Sequence, residues 1–274
     1  CSSSSLSLSS IAFVAEFVCV CENIYIAEII MMKNEKKHEE KITLKNEKLN
    51  SPVKITQISD FHSNAIRNLD EILINIKNFN PDFIILTGDI IDYGTASKIE
   101  RSVYFLKKLS TLNKSTYYIT GNHEEAGPNL DVFLKEIDKL GIKYLKNEGE
   151  LLNVNDNKIY LYGTSMFSFS YENYKPSKES VNIILSHFSK NVRDDYRGDE
   201  DFIFSGHTHG GQVRMPIVGG LIAPGEGILP DFDKGAFEYK NSTIYVDSGL
   251  GNTFLPLRFL DQIQYSNITL VPVV

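Results

Sequence analysis

The sequence predicts an α/β fold with largely parallel strands, and three observations support that prediction. Apolar runs of strand length alternate with helix-like segments from residue 53 onward. Polar side chains follow the ends of those runs, where such sheets bind their ligands. The chain of 274 residues is 42% hydrophobic and 23% charged, which is ordinary for a soluble globular domain with a well-buried core.

The first half of the predicted domain repeats a strand, a loop and a helix. The predicted strands there are "VKITQIS" (53–59), "PDFIILTGD" (81–89) and "STYYITGNH" (115–123). Apolar residues at helical spacing predict helices at 69–79, 96–109 and 130–141. After residue 157, four further strand-like runs follow with little helix between them: "KIYLYGTS", "NIILSH", "DFIFSGH" and "TIYVDSG".

The first 52 residues differ from the rest of the chain. Residues 1–32 are serine-rich and then largely apolar, which makes them a candidate membrane anchor. Three glutamates interrupt this stretch, and an acid near a bilayer centre costs roughly 2.5–3.5 kcal/mol. Residues 33–52 are charged and indicate a solvated connector with one short strand. We therefore expect a main domain at 53–274 attached to a membrane or to the cell envelope, with a cytoplasmic location as the alternative.

The charge balance argues against nucleic acid as a partner. The formal net charge is −7 and the sequence pI is about 5.4, and the chain has no basic stripe that would neutralise phosphates. The three cysteines lie within the first 21 residues, which excludes a disulfide scaffold and a thiolate metal site in the main domain. An acidic protein that handles phosphates needs another source of positive charge. A metal held by His, Asp, Glu or Asn would supply it.

The residues at the predicted strand ends are mostly potential metal ligands. They are Asp60 and His62, Asp89 and Asp92, Asn122 and His123, His187, and His207 with His209. Five of the six histidines of the chain are among them, which indicates one shared site. Imidazole, carboxylate and amide ligands without thiolate suit Mn, Fe or Zn. The set is too large for one tetrahedral ion and suits two ions that share a bridging carboxylate.

The segment "GHTHGGQ" concentrates this chemistry in one turn. His207 and His209 stand two residues apart, so in an extended segment they point to the same side. Gly206, Gly210 and Gly211 surround them, and glycines let a backbone approach a ligand closely. We expect the two histidines to serve different metals from this turn.

The motifs "DFH", "GDIID", "GNHE", "SH" and "GHTH", in this order, resemble the calcineurin-like metallophosphoesterase family. The resemblance spans about residues 53–250. The longer segments "GHTHGGQVRMP" and "GLGNTFLPLRF" are similar to the YkuE/YaeI-type phosphodiesterase branch of that family. The resemblance implies a four-layer α/β/β/α sandwich of two mixed β-sheets flanked by helices, the metallo-dependent phosphatase fold.

The resemblance also implies a role for each strand-end residue. The implied metal ligands are Asp60, His62 and His209 for a first ion, Asn122, His187 and His207 for a second, and Asp89 as the bridge. His123 would be the catalytic residue that faces the scissile phosphate. Asp92 and Glu124 would orient ligands from behind. For these last two, a helix cap and a solvated acid remain the alternatives.

The activity implied by the resemblance is hydrolysis of a phosphoric ester with two divalent ions, Mn²⁺ first and Fe or Zn as alternatives. A metal-bridging hydroxide would attack phosphorus while His123 stabilises or protonates the leaving oxygen. The expected substrate is a phosphodiester or pyrophosphate, for example a lipid-linked or nucleotide-diphospho compound as in UDP-diacylglucosamine hydrolases. A phosphomonoesterase, a nuclease and a catalytically silent metal-binding scaffold are the alternatives. A membrane lipid is a further candidate partner, whereas neither nucleic acid nor an obligate protein partner is expected.

Two departures from related patterns narrow the substrate class. Protein serine/threonine phosphatases of this superfamily have a phosphate-gripping Arg where this chain has Tyr93, after Asp92, so a phosphoprotein substrate is less expected. Purple acid phosphatases have a tyrosine ligand at the position of Asp92, so a charge-transfer Fe(III) site is disfavoured. Segments 166–174 and 215–230 contain aromatic and aliphatic side chains that would line a substrate site or pack in the core. Packing is the favoured role.

Overall fold

A computed structural model describes residues 38–64, 69–93, 96–211, 214–215, 219–251, 258 and 260–273. The candidate anchor at 1–32 lies outside these ranges, as do parts of the late motifs around 212 and 252–257. Within the described ranges, no helix is both long enough and apolar enough to cross a membrane.

Two six-stranded mixed sheets form the body of the structure. The strands of the first sheet are β1 His38–Asn46, β2 Val53–Ile58, β3 Phe83–Thr87, β4 Ser115–Ile119, β5 Lys143–Tyr144 and β16 Gln264–Pro272. The strands of the second sheet are β6 Glu148–Val154, β7 Asn157–Gly163, β8 Val181–Leu185, β9 Phe202–Ser205, β14 Gly235–Tyr239 and β15 Ser242–Val246. Two short ribbons follow β9, namely β10 Arg214–Met215 with β11 Gly219–Gly220 and β12 Ile222–Ala223 with β13 Gly227–Ile228.

The strand order brings the strands of the predicted site together. The first sheet has the order β1-β16-β2-β3-β4-β5, in which β2, β3, β4 and β5 are parallel neighbours. The second sheet has the order β14-β15-β9-β8-β7-β6, in which β15, β9, β8 and β7 are parallel neighbours. Antiparallel pairs at β16–β2, β6–β7 and β14–β15 make both sheets mixed.

The described helices are α1 Leu69–Phe79, α2 Ala96–Ser110, α3 Asn122–Ala126, α4 Leu130–Asp138 and α5 Ser189–Asp194. In α1, Asp70 and Glu71 lie in the first turn and Lys77 in the last, which matches the helix macrodipole. Ile72 and Ile76 are its buried residues. Helix α3 replaces the end of the predicted third strand, because the strand stops at Ile119 and the chain turns into a helix at Asn122.

Three apolar clusters hold the layers together. The first lies between the two sheets and includes Ile85, Ile183 and Phe204. The second joins α1, α2 and α4 to the outer face of the first sheet. The third covers the outer face of the second sheet with α5 and an aromatic segment. The predicted α/β/β/α sandwich of two mixed sheets is confirmed, although a single six-residue helix lies in the described part of the fourth layer.

The strand expected in the connector 33–52 is β1, and it is nine residues long. It pairs in parallel with β16 and forms the edge of the first sheet. Asn46 and Lys48 continue this attachment, because both donate hydrogen bonds to the carboxylate of Asp201 in the second sheet's loops. The end of the connector is therefore built into the sandwich.

Candidate metal centre

The predicted site residues converge at the carboxyl ends of β2, β3, β4, β8 and β9. One group is formed by Asp60, His62 and His209, whose ligand atoms all lie within 4.8 Å of one another. Nε2 of His62 lies 3.2 Å from Nε2 of His209 and 3.7 Å from Oδ1 of Asp60. All three side chains are buried. This is the set that the family resemblance assigns to a first metal.

A second group is formed by Asp89, His187 and His207. Nε2 of His187 lies 3.4 Å from Oδ2 of Asp89 and 3.1 Å from Nδ1 of His207. Nδ1 of His187 donates a 2.7 Å hydrogen bond to the carbonyl of Thr87, which leaves Nε2 as the ligand atom. Oδ2 of Asp89 is also 3.7 Å from Nε2 of His62. Asp89 therefore lies between the two groups, where a bridging ligand is expected.

His123 stands beside both groups. Nδ1 of His123 lies 2.8 Å from Oδ1 of Asp92, and its Nε2 lies 3.8 Å from Oδ2 of Asp89. Its ring packs against His62 at 4.5 Å and against Tyr93 at 4.1 Å between ring centroids. By distance alone, His62, Asp89 and His123 also form a set that could hold a metal. His123 differs from the other histidines of the site because its Nδ1 is bonded to a carboxylate, that of Asp92.

Asp92 and Glu124 both contact the residues that they were expected to orient. Asp92 accepts hydrogen bonds from the His123 ring and from the backbone amide of Tyr93. Glu124 is buried, which excludes the solvated-acid alternative. Its carboxylate accepts hydrogen bonds from the amides of Asp89 and Gly121 at 2.9 Å and from Ile91 at 3.0 Å. Glu124 thereby binds the loop after β3 to the loop after β4.

The donor set fits divalent metal ions. In each group, two histidine ring nitrogens face each other. The distance is 3.2 Å between His62 and His209 and 3.1 Å between His187 and His207. Each pair can share only one proton, so acceptor atoms outnumber donors where these rings meet the carboxylates. Within the described part of the chain, Oδ1 of Asn122 is buried and accepts no hydrogen bond. Cations would satisfy these acceptors, and the absence of thiolate favours Mn, Fe or Zn.

The backbone of the site adopts an uncommon conformation. Five of the predicted ligands have a positive φ, between 49° and 72°: Asp60, His62, Asp89, His207 and His209. Residues other than glycine rarely adopt this region, and each instance costs on the order of 1–3 kcal/mol. The surrounding packing must hold these residues in place. Such clusters of strain are typical of ligand and catalytic sites.

The glycines of the turn have two different roles. A Cβ on Gly206 would collide with Oγ of Ser59 and the carboxylate of Asp60. Gly206 therefore allows the close approach that the sequence predicts. Gly210 and Gly211 have positive φ values and face Asp261 and Gly220 respectively. These two glycines seat the turn on the residues behind it.

The electrostatics of the site follow from burying acids and imidazoles together. Burial alone would raise the pKa of Asp89, but the imidazoles of His187 and His62 outweigh it and hold that pKa below its usual range. Burial would lower the pKa of His187, but Asp89 and Asp60 outweigh it and raise that pKa to about 10. Burial and the neighbouring His187 lower the pKa of His207 to about 4. Metal binding would require the neutral ring of His187 and would therefore release its proton.

Two cations near the site could not be placed there from the strand-end pattern. Nζ of Lys98, in the first turn of α2, forms an ion pair with Oδ2 of Asp92. Arg258 is buried, and its Nη2 lies 3.1 Å from Nδ1 of His209 while donating to the carbonyls of Ser248 and Gly251. The position of Arg258 inside the apolar segment "FLPLRF" was a sequence signal that this arginine is buried. No sequence signal places Lys98 at the site.

Of the two segments expected to line a substrate site or to pack, 166–174 contributes mainly packed aromatic side chains, and the described part of 215–230 exposes several apolar ones. Tyr171 and Tyr174 stack on each other at 4.6 Å and join Tyr162 in the outer cluster of the second sheet. Phe167 differs, because its side chain is exposed. Its backbone amide donates to the carboxylate of Glu125 in α3 at 2.9 Å. The described part of 215–230 exposes Met215, Ile228 and Leu229.

The fold and the site together define a metal-dependent phosphoester hydrolase. The sequence profile of the family described as Calcineurin-like phosphoesterase matches residues 53–211, which is more than half of the chain. The chain belongs to this family. The resemblance drawn from the five motifs is thereby confirmed.

Two sequence relatives have names that agree with this assignment. The chain is 29% identical over 226 residues to the uncharacterized metallophosphoesterase YkuE of Bacillus subtilis (strain 168), covering 79% of this chain and 78% of that one. It is 27% identical over 214 residues to phosphodiesterase YaeI of Escherichia coli (strain K12), covering 74% and 77%. The solved structure of TT1561 of Thermus thermophilus has a TM-score of 0.46 at 10% identity, covering 72% of this chain and 89% of that one.

Proposed function

We propose that this protein hydrolyses phosphodiesters or pyrophosphates with two divalent metal ions. The single observation that carries the proposal is the position of Asp89, whose carboxylate belongs to one ligand group and lies 3.7 Å from the His62 nitrogen of the other. The proposed ligands are Asp60, His62 and His209 for one ion, Asn122, His187 and His207 for the other, and Asp89 for both. Mn²⁺ is the proposed metal, with Fe or Zn as alternatives.

The protein side chains around the proposed ions have separable tasks. Two bound divalent ions would act as Lewis acids and supply the nucleophile for an in-line displacement at phosphorus. Asp92 accepts the hydrogen bond of Nδ1 of His123, so that Nε2 is the nitrogen facing Asp89 and the substrate. His123 can then deliver a proton from Nε2 to the leaving oxygen. Glu124 holds the backbone of Asp89 and so fixes the proposed bridging carboxylate.

The substrate proposal is a diester or pyrophosphate, with a lipid-linked or nucleotide-diphospho compound as the candidate. The description of the YaeI relative as a phosphodiesterase supports the diester class. The apolar residues 1–32 support a lipid-bearing substrate and a location at a membrane or the cell envelope. The net charge of −7 favours a small or lipid-linked phosphoester over a long nucleic acid.

The first test combines metal content with activity in the full chain. Bound metal is quantified by elemental mass spectrometry after purification. Hydrolysis of bis-p-nitrophenyl phosphate and p-nitrophenyl phosphate is then measured with added Mn²⁺, Fe²⁺ or Zn²⁺. We expect about two ions per chain and diester cleavage, the ion count following from a two-metal site. A nucleotide-linked lipid pyrophosphate is assayed in parallel to test the lipid-linked proposal.

Two aspartate variants make this test specific. Asp89→Asn is expected to lose metal and activity, because the proposed bridge loses its charge. Asp247→Asn is the matched control, since Asp247 is equally buried but belongs to no ligand group among the described residues. It should keep both metal and activity. Absence of bound metal in the wild-type protein, or full activity in Asp89→Asn, would contradict the proposed site.

A further inference from the structure

Tyr93 presents an exposed aromatic ring directly on the proposed catalytic histidine. The centroids of the Tyr93 and His123 rings are 4.1 Å apart and the rings are inclined by 38°. The backbone amide of Tyr93 donates a 2.8 Å hydrogen bond to Asp92, which fixes the chain at this point. The side chain nevertheless remains 53% exposed. An aromatic ring held beside reacting groups and left open to solvent is positioned to contact a bound ligand.

The surroundings of this ring are poor in available positive charge. The contacts of His123 are Asp92, Asp89, His62 and Tyr93. Within the part of the chain that the structure describes, Lys98 is the cation bonded to this group, and its Nζ is paired with Asp92. A phosphomonoester carries two negative charges at neutral pH, whereas a phosphodiester carries one. Among the described residues, the side of the site next to His123 thus offers an aromatic surface, and the cation bonded there is already paired with a carboxylate.

Resting on the proposed function, we infer that Tyr93 is a specificity-determining residue that selects phosphodiesters over phosphomonoesters. Its ring contacts an apolar or aromatic ester group of the substrate beside His123. The same ring occupies the place where a cation would neutralise the extra charge of a monoester. The preferred substrates are therefore phosphodiesters or pyrophosphates whose scissile phosphate carries a single charge, with an apolar or aromatic group next to the scissile bond.

The test compares two esters that release the same product, bis-p-nitrophenyl phosphate and p-nitrophenyl phosphate. kcat/KM is measured for both with the metal-loaded full chain, and the ratio of diester to monoester is the readout. Tyr93→Phe should keep the wild-type ratio, because it keeps the ring. Tyr93→Arg should lower the ratio by about tenfold or more, because a guanidinium makes charge-assisted hydrogen bonds to a phosphate dianion.

Tyr104→Arg is the matched control for the added charge. Tyr104 is 56% exposed and lies on α2, where it lines a groove of about 600 Å³ between α2 and α4. This variant should retain the wild-type ratio. Bound metal is quantified in every variant, so that a change in ratio can be separated from a change in metal loading.

The outcomes separate the inference from the proposed function. A wild-type protein that binds no metal and cleaves neither ester would remove the proposed function and the inference with it. An active protein whose ratio is unchanged by Tyr93→Arg, or equally changed by Tyr104→Arg, would overturn the inference alone. Tyr93→Ala gives a second readout. A raised KM for the diester with kcat retained supports a substrate contact, whereas an equal fall of kcat on both esters would mean that Tyr93 only orients His123.

Discussion

His123 differs from the other histidines of the site in what its two nitrogens face. Nδ1 is bonded to the carboxylate of Asp92, and Nε2 is directed towards Asp89 at 3.8 Å. Its side chain is also 16% exposed, whereas those of His62, His187 and His209 are almost completely buried. A residue that exchanges protons with a substrate needs this access. A ligand that only holds a metal does not.

We therefore predict that His123→Ala lowers turnover of the diester by about 10²–10⁴-fold, the usual contribution of a positioned general acid. The number of bound metal ions should stay at the wild-type value. Elemental mass spectrometry and steady-state kinetics on the same preparation provide the measurement. His187→Ala is the comparison variant and should lose metal together with activity. Loss of metal in His123→Ala would instead assign His123 to the group that it forms with His62 and Asp89.

At this scale the sequence reveals residue types but not distances. The strand-end rule identified nine of the ten predicted site residues, because parallel strands bring their carboxyl ends to one edge of a sheet, and the family resemblance added Glu124. It could not show that Nδ1 of His207 meets Nε2 of His187, since that contact depends on the turn after β9. Nor could it find Lys98, whose partner Asp92 becomes a neighbour only through the packing of α2.

Helix α3 concentrates four functional side chains in five residues. His123 bonds to Asp89 and Asp92, and Oδ1 of Asn122 is buried without a hydrogen-bond partner. Glu124 is buried, and Glu125 reaches the loop after β7. Burial and the nearby Asp89 raise the pKa of Glu124 to about 8, and the hydrogen bonds from Ile91 and Gly121 oppose this shift. The carboxylate of Glu124 accepts three backbone N–H groups from two loops. The position of α3 relative to the loop after β3 therefore depends on the two acceptor oxygens of Glu124.

Glu124→Gln tests this dependence. A glutamine has one acceptor oxygen, so at least one buried N–H group loses its partner and meets an NH₂ donor instead. We expect the free energy of unfolding to fall by about 1–3 kcal/mol, the cost of an unsatisfied buried group. Urea denaturation below about pH 4.5 measures this, because Glu124 is then protonated in both the folded and the unfolded wild type, and the loss of stability that its raised pKa causes as the pH rises through about 8 does not contribute. Glu179→Gln, on an exposed side chain, is the control and should unfold like the wild type. Equal stability of Glu124→Gln and the wild type would show that the hydrogen bonds to Glu124 do not stabilise the fold.

Strands in which every residue is buried and apolar were predicted, whereas two strands with a more mixed sequence were not. The buried runs of β3, β8 and β9 have every residue buried, which makes them visible in the sequence. The strand β6 alternates between exposed and half-buried residues, and its pattern did not predict a strand. The strand β16 was not predicted either, although it pairs with both β1 and β2. A polar sequence such as "QYSN" gains its strand conformation from these two neighbours.

At the scale of the whole molecule, the two sheets are joined by polar contacts as well as by the apolar core. Ser266 of β16 donates to the carboxylate of Asp247, which follows β15 in the other sheet. Tyr245 and Ser266 share a 2.7 Å hydrogen bond between their hydroxyl groups. Nε2 of Gln57 in β2 donates to the carbonyl of Ser205 at the end of β9. These contacts lie behind the candidate metal centre and fix the relative position of the strands that carry its ligands.

The pH dependence of unfolding should report this junction through Asp247. Burial, and to a smaller extent the charge of Asp60, raise the pKa of Asp247 from 3.8 to about 7, against the opposing hydrogen bonds from Ser266 and Gly249 and the charge of Lys234. The folded protein thus keeps a proton that the unfolded chain has already lost. Stability that is fully present below about pH 4 is lost as the pH rises through about 7, because the folded state binds more protons than the unfolded state in this range.

Asparagine cannot ionise, and its Oδ1 can still accept from the Gly249 amide while Nδ2 donates to Ser266. Asp247→Asn should therefore gain melting temperature relative to the wild type as the pH increases across this window, as measured by calorimetry. A constant difference in melting temperature across the window would show that Asp247 is ionised in the folded protein and that the junction tolerates its charge.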